Sequence, residues 1–217
     1  MRKTAVGKTI ATDDGPNAGP RGFSLVELLV ATAVGLVVLS AMYGIFTIQN
    51  KTFGGQEEIL AMQQRIRAGM DMMAREVAMA GYDPAGVNTD ANSANNFSGI
   101  TVDAAQLQIK ADINGDGDTG DSDETIVYKY VNTTSNPYRI MRQSGGGDFV
   151  SFVENVESFA FEYLDRDGNA TTLSADVRQV RITITGRTAN HDPTYSANGG
   201  YRTYTLKSVV TPRNLAF

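Results

Sequence analysis

Two groups of residues in this 217-residue chain have the types and spacing to do chemistry. The larger is the run Asp112-Ile113-Asn114-Gly115-Asp116-Gly117-Asp118-Thr119-Gly120-Asp121-Ser122-Asp123-Glu124. Asp112, Asn114, Asp116 and Gly117 match positions one, three, five and six of an EF-hand-type calcium loop, with Asp118 at seven. Position twelve falls on Asp123, and Glu124 follows it. Hard oxygen donors at alternate positions let a chain wrap around Ca2+, and the glycine permits a sharp turn. Mg2+ suits the run less well, because it demands a tight octahedral shell with retained waters. A solvated acidic loop is the alternative. Ca2+ is the favoured expectation, with Asp112, Asn114, Asp116, Asp118, Asp123 and Glu124 as ligands.

The second group centres on Glu27. Leu28 to Ile48 holds no charge and no proline. Its 21 residues can span a bilayer core of about 30 Å. A carboxylate at the centre of such a span costs about 2.5–3.5 kcal/mol, less toward its ends. A plain anchor has no use for Glu27, so the side chain calls for a partner.

Other chemistry is thinly represented. Cysteine is absent, which rules out disulfides, thiolate nucleophiles and Cys-based zinc sites. His191 is the sole histidine, so no His-based dyad or three-histidine zinc site can form. Asp165-Arg166-Asp167-Gly168-Asn169 reads as a turn, and Gly145–Gly147 lacks the context of a phosphate loop. No catalytic apparatus is expected. The formal charge of −5 argues against a general nucleic-acid partner.

These side chains need elements to place them. From Phe23 the helical pattern runs well past the apolar span. Ile59, Met62, Ile66, Met70, Met73, Val77 and Ala80 recur at steps of three and four, a one-sided stripe. Gly81 and Pro84 supply a stop. A helix over 23–80, with its membrane segment at about 28–48, is too long for one small domain to bury. Its front half needs lipid or other helices. Gly54-Gly55 falls between the halves and weakens the helix by up to about 1 kcal/mol per glycine. The methionines at 62, 70, 72, 73 and 79 suit core packing.

After a polar loop at 83–99 the period changes to two. Leu107 and Ile109, then Ile126, Tyr128 and Tyr130, alternate with polar neighbours. Tyr138–Arg142, Phe149–Val153, Phe159/Phe161/Tyr163, Val180/Ile182/Ile184 and Arg202–Val210 are further strands. The expected fold class is α+β: a long N-terminal helix packed on a C-terminal antiparallel β-sheet domain over 81–217.

Residues 1–22 carry four basic and two acidic side chains and leave an excess of seven negative charges beyond them. A basic flank places the N-terminus in the cytoplasm and the remainder outside. Unlike the apolar core of a secretory signal peptide, the apolar segment here follows a fairly long leader and would be retained.

Gly22-Phe23-Ser24-Leu25-Val26-Glu27 and the apolar helix behind it resemble the processing signature of type IV pilins and type II secretion pseudopilins. The Ala80-Gly81-Tyr82 helix end, the Asp-Gly-rich insertion and the closing Val210-Thr211-Pro212-Arg213-Asn214-Leu215 are most similar to PilW-type minor pilins, relatives of the J-type pseudopilins. The resemblance implies cleavage by a prepilin peptidase between Gly22 and Phe23, with methylation of the new terminus. It also implies an ion pair between Glu27 and the Phe23 amine of a neighbour, with Leu25, Val26 and Leu28 among the helix contacts. The partners implied are other pilins and the inner-membrane assembly machinery. The location implied is the bacterial inner membrane, then a pilus filament at the cell surface. A type II secretion pseudopilin, or an anchored calcium-binding or adhesive domain outside any filament, are the rivals.

Overall fold

In the computed structural model, residues 22–89, 95–135 and 137–215 are described. The expected leader, apart from Gly22, and part of the polar loop at 83–99 lie outside them.

Helix α1 runs Leu25–Met79, starting and stopping within two residues of the span read from the sequence. The chain divides into two compact units between Lys51 and Thr52. In the first unit the large apolar side chains from Phe23 to Ile48 face outward. This part of α1 is long and apolar enough to cross a membrane, and its most apolar stretch is not buried within the chain.

The second unit is built on the rest of α1. Met62, Ile66, Met70, Met73, Val77 and Ala80 are buried on one stripe, with Ile59 partly buried beside them. Met72 is half-buried, whereas Met79 is 44% exposed and lies off the stripe. Each fully buried side chain of this size contributes about 1.5–3 kcal/mol of transfer free energy.

The stripe packs against eight strands. They are β1 (Ile100–Thr101), β2 (Gln106–Lys110), β3 (Thr125–Val131), β4 (Arg139–Ser144), β5 (Val150–Glu154), β6 (Val156–Leu164), β7 (Gln179–Arg187) and β8 (Thr203–Val210). All pairings are antiparallel. The sequence pattern suggests one sheet, but there are two, ordered β1-β2-β3-β4-β5 and β6-β7-β8. The break lies at Asn155, between β5 and β6. Its backbone is left-handed, with φ of 58°, and that conformation ends a ladder. The next amide, Val156 N–H, donates to the Tyr138 carbonyl at 2.7 Å, and the Asn155 carbonyl accepts from Arg187 N–H at 2.8 Å.

Period-two residues meet as the pattern requires. Phe159, Phe161 and Tyr163 on β6 lie opposite Ile184, Ile182 and Val180 on β7. The β1 strand has two residues, too short to carry a pattern, and no sequence signal marks it.

The C-terminal segment closes the helix. Gly81 is left-handed at φ of 77°, as a helix C-cap requires. Arg213 N–H donates to the Ala78 carbonyl at 3.0 Å. The Asn214 amide donates to the Met79 and Ala80 carbonyls at 3.3 and 3.4 Å. These are carbonyls that a helix end leaves without intrahelical partners.

Candidate assembly site

At the head of α1 the sequence Ser24-Leu25-Val26-Glu27 folds into a reciprocal cap. Glu27 N–H donates to Ser24 Oγ at 3.2 Å, and Ser24 N–H donates to Glu27 Oε2 at 3.1 Å. This is a capping box, in which two orphaned amides of a helix start satisfy each other's side chains. It places the carboxylate beside the positive end of the helix dipole. In the single chain the Glu27 carboxylate thus has a hydrogen-bond donor in Ser24 N–H. The Ser-x-x-Glu spacing is the signal that marks it. Phe23, Leu25, Val26 and Leu28 project outward around this cap and are 62–89% exposed.

The acidic run forms the connection between β2 and β3. Asp112 and Glu124 are 0% and 2% exposed, and Asp116 is exposed. These three carboxylates offer oxygens that lie within 4.8 Å of one another. The buried pair is held by main-chain amides. Asp112 accepts Gly115 N–H at 2.6 Å and Gly117 N–H at 3.0 Å. Glu124 accepts Ile113, Asn114 and Asp121 N–H at 3.0, 3.2 and 3.2 Å.

The remaining expected ligands are arranged differently. Asn114 donates its amide to Asp116 at 3.0 Å and Asp121 at 2.8 Å. Asp118 turns back on Gly120 N–H at 2.8 Å. Asp123, at position twelve of the loop pattern, has φ of 73° and faces β4, where it accepts the Ser144 hydroxyl at 2.7 Å. Its left-handed backbone turns it away, and Glu124 takes the inward place. Among the described residues, Asp112, Asp116 and Glu124 are carboxylates whose oxygens lie close enough to share a cation.

A second polar cluster has no counterpart in the motif reading. Glu76 on the buried stripe accepts the Tyr128 hydroxyl from β3 and Arg142 Nη2 from β4, the latter at 2.9 Å. Burial, then the Glu76 carboxylate, pushes the Tyr128 hydroxyl far above the ordinary tyrosine range. The cluster ties the helix to two strands. A charged residue between Met73 and Val77 on an apolar stripe is the only signal for it.

His191 is exposed and meets Tyr201 edge-on, with centroids 5.9 Å apart. Asp165 closes its turn by accepting Asp167 and Asn169 N–H at 2.9 and 2.8 Å. The Asn169 backbone amide holds the Asp165 carboxyl below the usual carboxylate range.

Residues 18–43 match the family model described as the prokaryotic N-terminal methylation motif. Among solved structures, the chain is similar to a type IV-like pilin from Thermus thermophilus, at 15% sequence identity and a TM-score of 0.45, over 71% of this chain and 98% of that one. No curated protein sequence matches the chain. The chain thus carries the prokaryotic N-terminal methylation motif at the head of an exposed apolar helix.

Proposed function

We propose that this chain is a minor pilin, a structural subunit that takes part in assembly of a type IV pilus. A prepilin peptidase cuts it between Gly22 and Phe23, and it enters the filament beside other pilins from the inner membrane. The observation that carries this reading is the methylation motif over residues 18–43, set on a helix whose apolar side chains face outward.

The cap geometry supplies a mechanism. Cleavage leaves an amine on Phe23, with an ordinary pKa of about 7.7–8.0 and so mostly positive at neutral pH. In the single chain Glu27 accepts a neutral amide, Ser24 N–H at 3.1 Å. Among packed helices a neighbour's ammonium adds the attraction of a full positive charge, which a neutral amide donor lacks. Glu27 exchanges one partner for the other, and the pairing fixes register because either charge alone is costly there.

Two variants separate capping from pairing. Ser24→Ala removes one half of the cap and keeps the carboxylate, so the subunit still enters filaments. Glu27→Ala removes the pairing group and abolishes entry. Equal behaviour of the two variants in sheared filament fractions sinks the exchange. Intact mass of the membrane-extracted protein should show a chain starting at methylated Phe23. Copurification with type II secretion components, in place of pilins, would assign the same chemistry to a pseudopilin.

A calcium role is a separate proposal, now narrowed to Asp112, Asp116 and Glu124. Its support is that two of these carboxylates are almost fully buried, with oxygens of all three within 4.8 Å. Two carboxylates hold about eight acceptor sites, and the amides described above use five. Calorimetric titration of the full chain with Ca2+ should give saturable heat and a raised melting temperature. Both should be lost in Asp116→Ala. Absence of heat in the unaltered chain overturns the proposal.

A further inference from the structure

The sequence contains two Asn-Gly dipeptides, Asn114-Gly115 and Asn198-Gly199. Asparagine is chemically labile, most of all before glycine, where no Cβ obstructs the following backbone nitrogen. That nitrogen attacks the asparagine Cγ and loses its proton, the side-chain amide leaves as ammonia, and a cyclic imide forms. Water then adds to either imide carbonyl and breaks its bond to nitrogen, giving aspartate or isoaspartate. No oxidant or reductant is needed. By sequence the two dipeptides are equivalent.

The fold separates them. At Asn114 both reacting groups are engaged. The Gly115 nitrogen donates to Asp112 Oδ1 at 2.6 Å. The Asn114 side-chain oxygen accepts Asp116 N–H at 2.9 Å, and its amide donates to Asp116 and Asp121 at 3.0 and 2.8 Å. Cyclisation there must break charge-assisted bonds and swing the amide out of the acidic loop.

Asn198 is held far less tightly. It is exposed, and its side chain makes one long contact, from Nδ2 to Thr203 Oγ1 at 3.3 Å. Its backbone is left-handed at φ of 50° and ψ of 38°, outside the helical range of the turn around it. At Gly199 an added Cβ would meet nothing within 4 Å. The side chain can leave its single contact and reach the Gly199 nitrogen without dismantling a network.

We infer that Asn198 is a spontaneous modification site, and that the acidic loop shields Asn114 from the same reaction. The inference stands independently of the assembly reading. The product alters a loop with several anchors. Gly200 approaches His191 so closely that a Cβ would lie 2.3 Å from its ring. Its carbonyl accepts Asp192 N–H at 2.8 Å. Isoaspartate inserts a methylene into the backbone just before this contact, and either product adds a negative charge where there was none.

The test is to incubate the purified full chain at mildly alkaline pH and follow both dipeptides by peptide mapping, scoring the amide-to-acid mass gain and the split isoaspartate peak. In the folded chain Asn198 should convert at least about tenfold faster than Asn114, since Asn114 must first lose hydrogen bonds to charged groups. In concentrated urea the two rates should converge. Conversion of Asn114 at the rate of Asn198 in the folded chain overturns the inference. So does a preference for Asn198 that persists undiminished in urea, because the selectivity would then be local sequence chemistry and not the fold.

Discussion

Glu76 shows what a single charged residue does on an otherwise apolar stripe. Its side chain is 9% exposed, and that of Arg142 is 16% exposed. Removing one partner of such a pair strands the other charge, which costs about 3–5 kcal/mol. Glu76→Ala should therefore destabilise the second unit by about 3 kcal/mol, read from the urea midpoint of the full chain. Replacing Glu76, Tyr128 and Arg142 together with Leu, Phe and Met should recover most of that loss. A cost below about 1 kcal/mol for Glu76→Ala would mean that water reaches Arg142 and satisfies it. Tyr163 carries a pH dependence of its own. Burial pushes its hydroxyl up to about 12, and the group sits 3.1 Å from the Gln106 carbonyl. The unfolded value is about 10. The folded chain thus prefers the protonated form, and this contribution is complete below pH of about 10 and lost as pH rises toward 12. Tyr128 is shifted in the same direction. Unfolding midpoints should hold steady from neutrality to pH of about 9 and then fall, and Tyr163→Phe should shallow the fall.

The elements meet where side chains are small. Gly69 on α1 faces β5, and a Cβ there would stand 2.5 Å from Val153 Cγ2. Gly186 on β7 faces α1, and a Cβ there would stand 2.6 Å from Ile66 Cγ1. Gly69→Ala gains helix propensity of up to about 1 kcal/mol but forces the strand away, at about 1–3 kcal/mol for overpacking. Net destabilisation of about 1 kcal/mol is expected. A stabilised Gly69→Ala chain in denaturant unfolding would show that the β5 contact yields freely. Most of this layer was legible in advance. The stripe from Met62 to Ala80, the Gly81 stop and the alternating strands each carry a periodic signal, because one-sided burial imposes one. The division into two sheets was not legible, since it depends on one left-handed residue, Asn155, whose type alone does not require φ of 58°. Nor was the inward turn of Glu124 in place of Asp123. Loop spacing gives the order of donors along a chain, whereas their direction depends on backbone angles that the packed strands impose. The closing segment shows the same limit. The bonds of Arg213 and Asn214 to the Ala78, Met79 and Ala80 carbonyls arise only once the last strand brings them back to the helix.

At the scale of the molecule, the chain divides between Lys51 and Thr52 into two compact units that pose opposite solvation problems. The first exposes Phe23, Leu25, Val26, Leu28, Leu29 and Val30 at 57–89%. Leaving one such side chain in water forgoes about 1.5–3 kcal/mol, so these six together cost on the order of 10 kcal/mol. Lipid or neighbouring apolar helices must cover it. The second unit has its own core of helix and strand residues and holds most of the negative charge of the chain. Its solubility should not depend on the first. The full chain should stay with the membrane pellet through alkaline carbonate and high salt and come into solution only with detergent. Leu28 to Ile48 is uncharged, so neither treatment can weaken its hold. A chain beginning at Gln56 should instead be soluble and unfold cooperatively, with the same alkaline fall in stability, because Glu76, Tyr128, Arg142 and Tyr163 all lie beyond that point. Carbonate extraction of the full chain would mean that the apolar helix is covered by something other than lipid. Aggregation of the shortened chain would mean that the second unit takes part of its stability from the residues before Gln56.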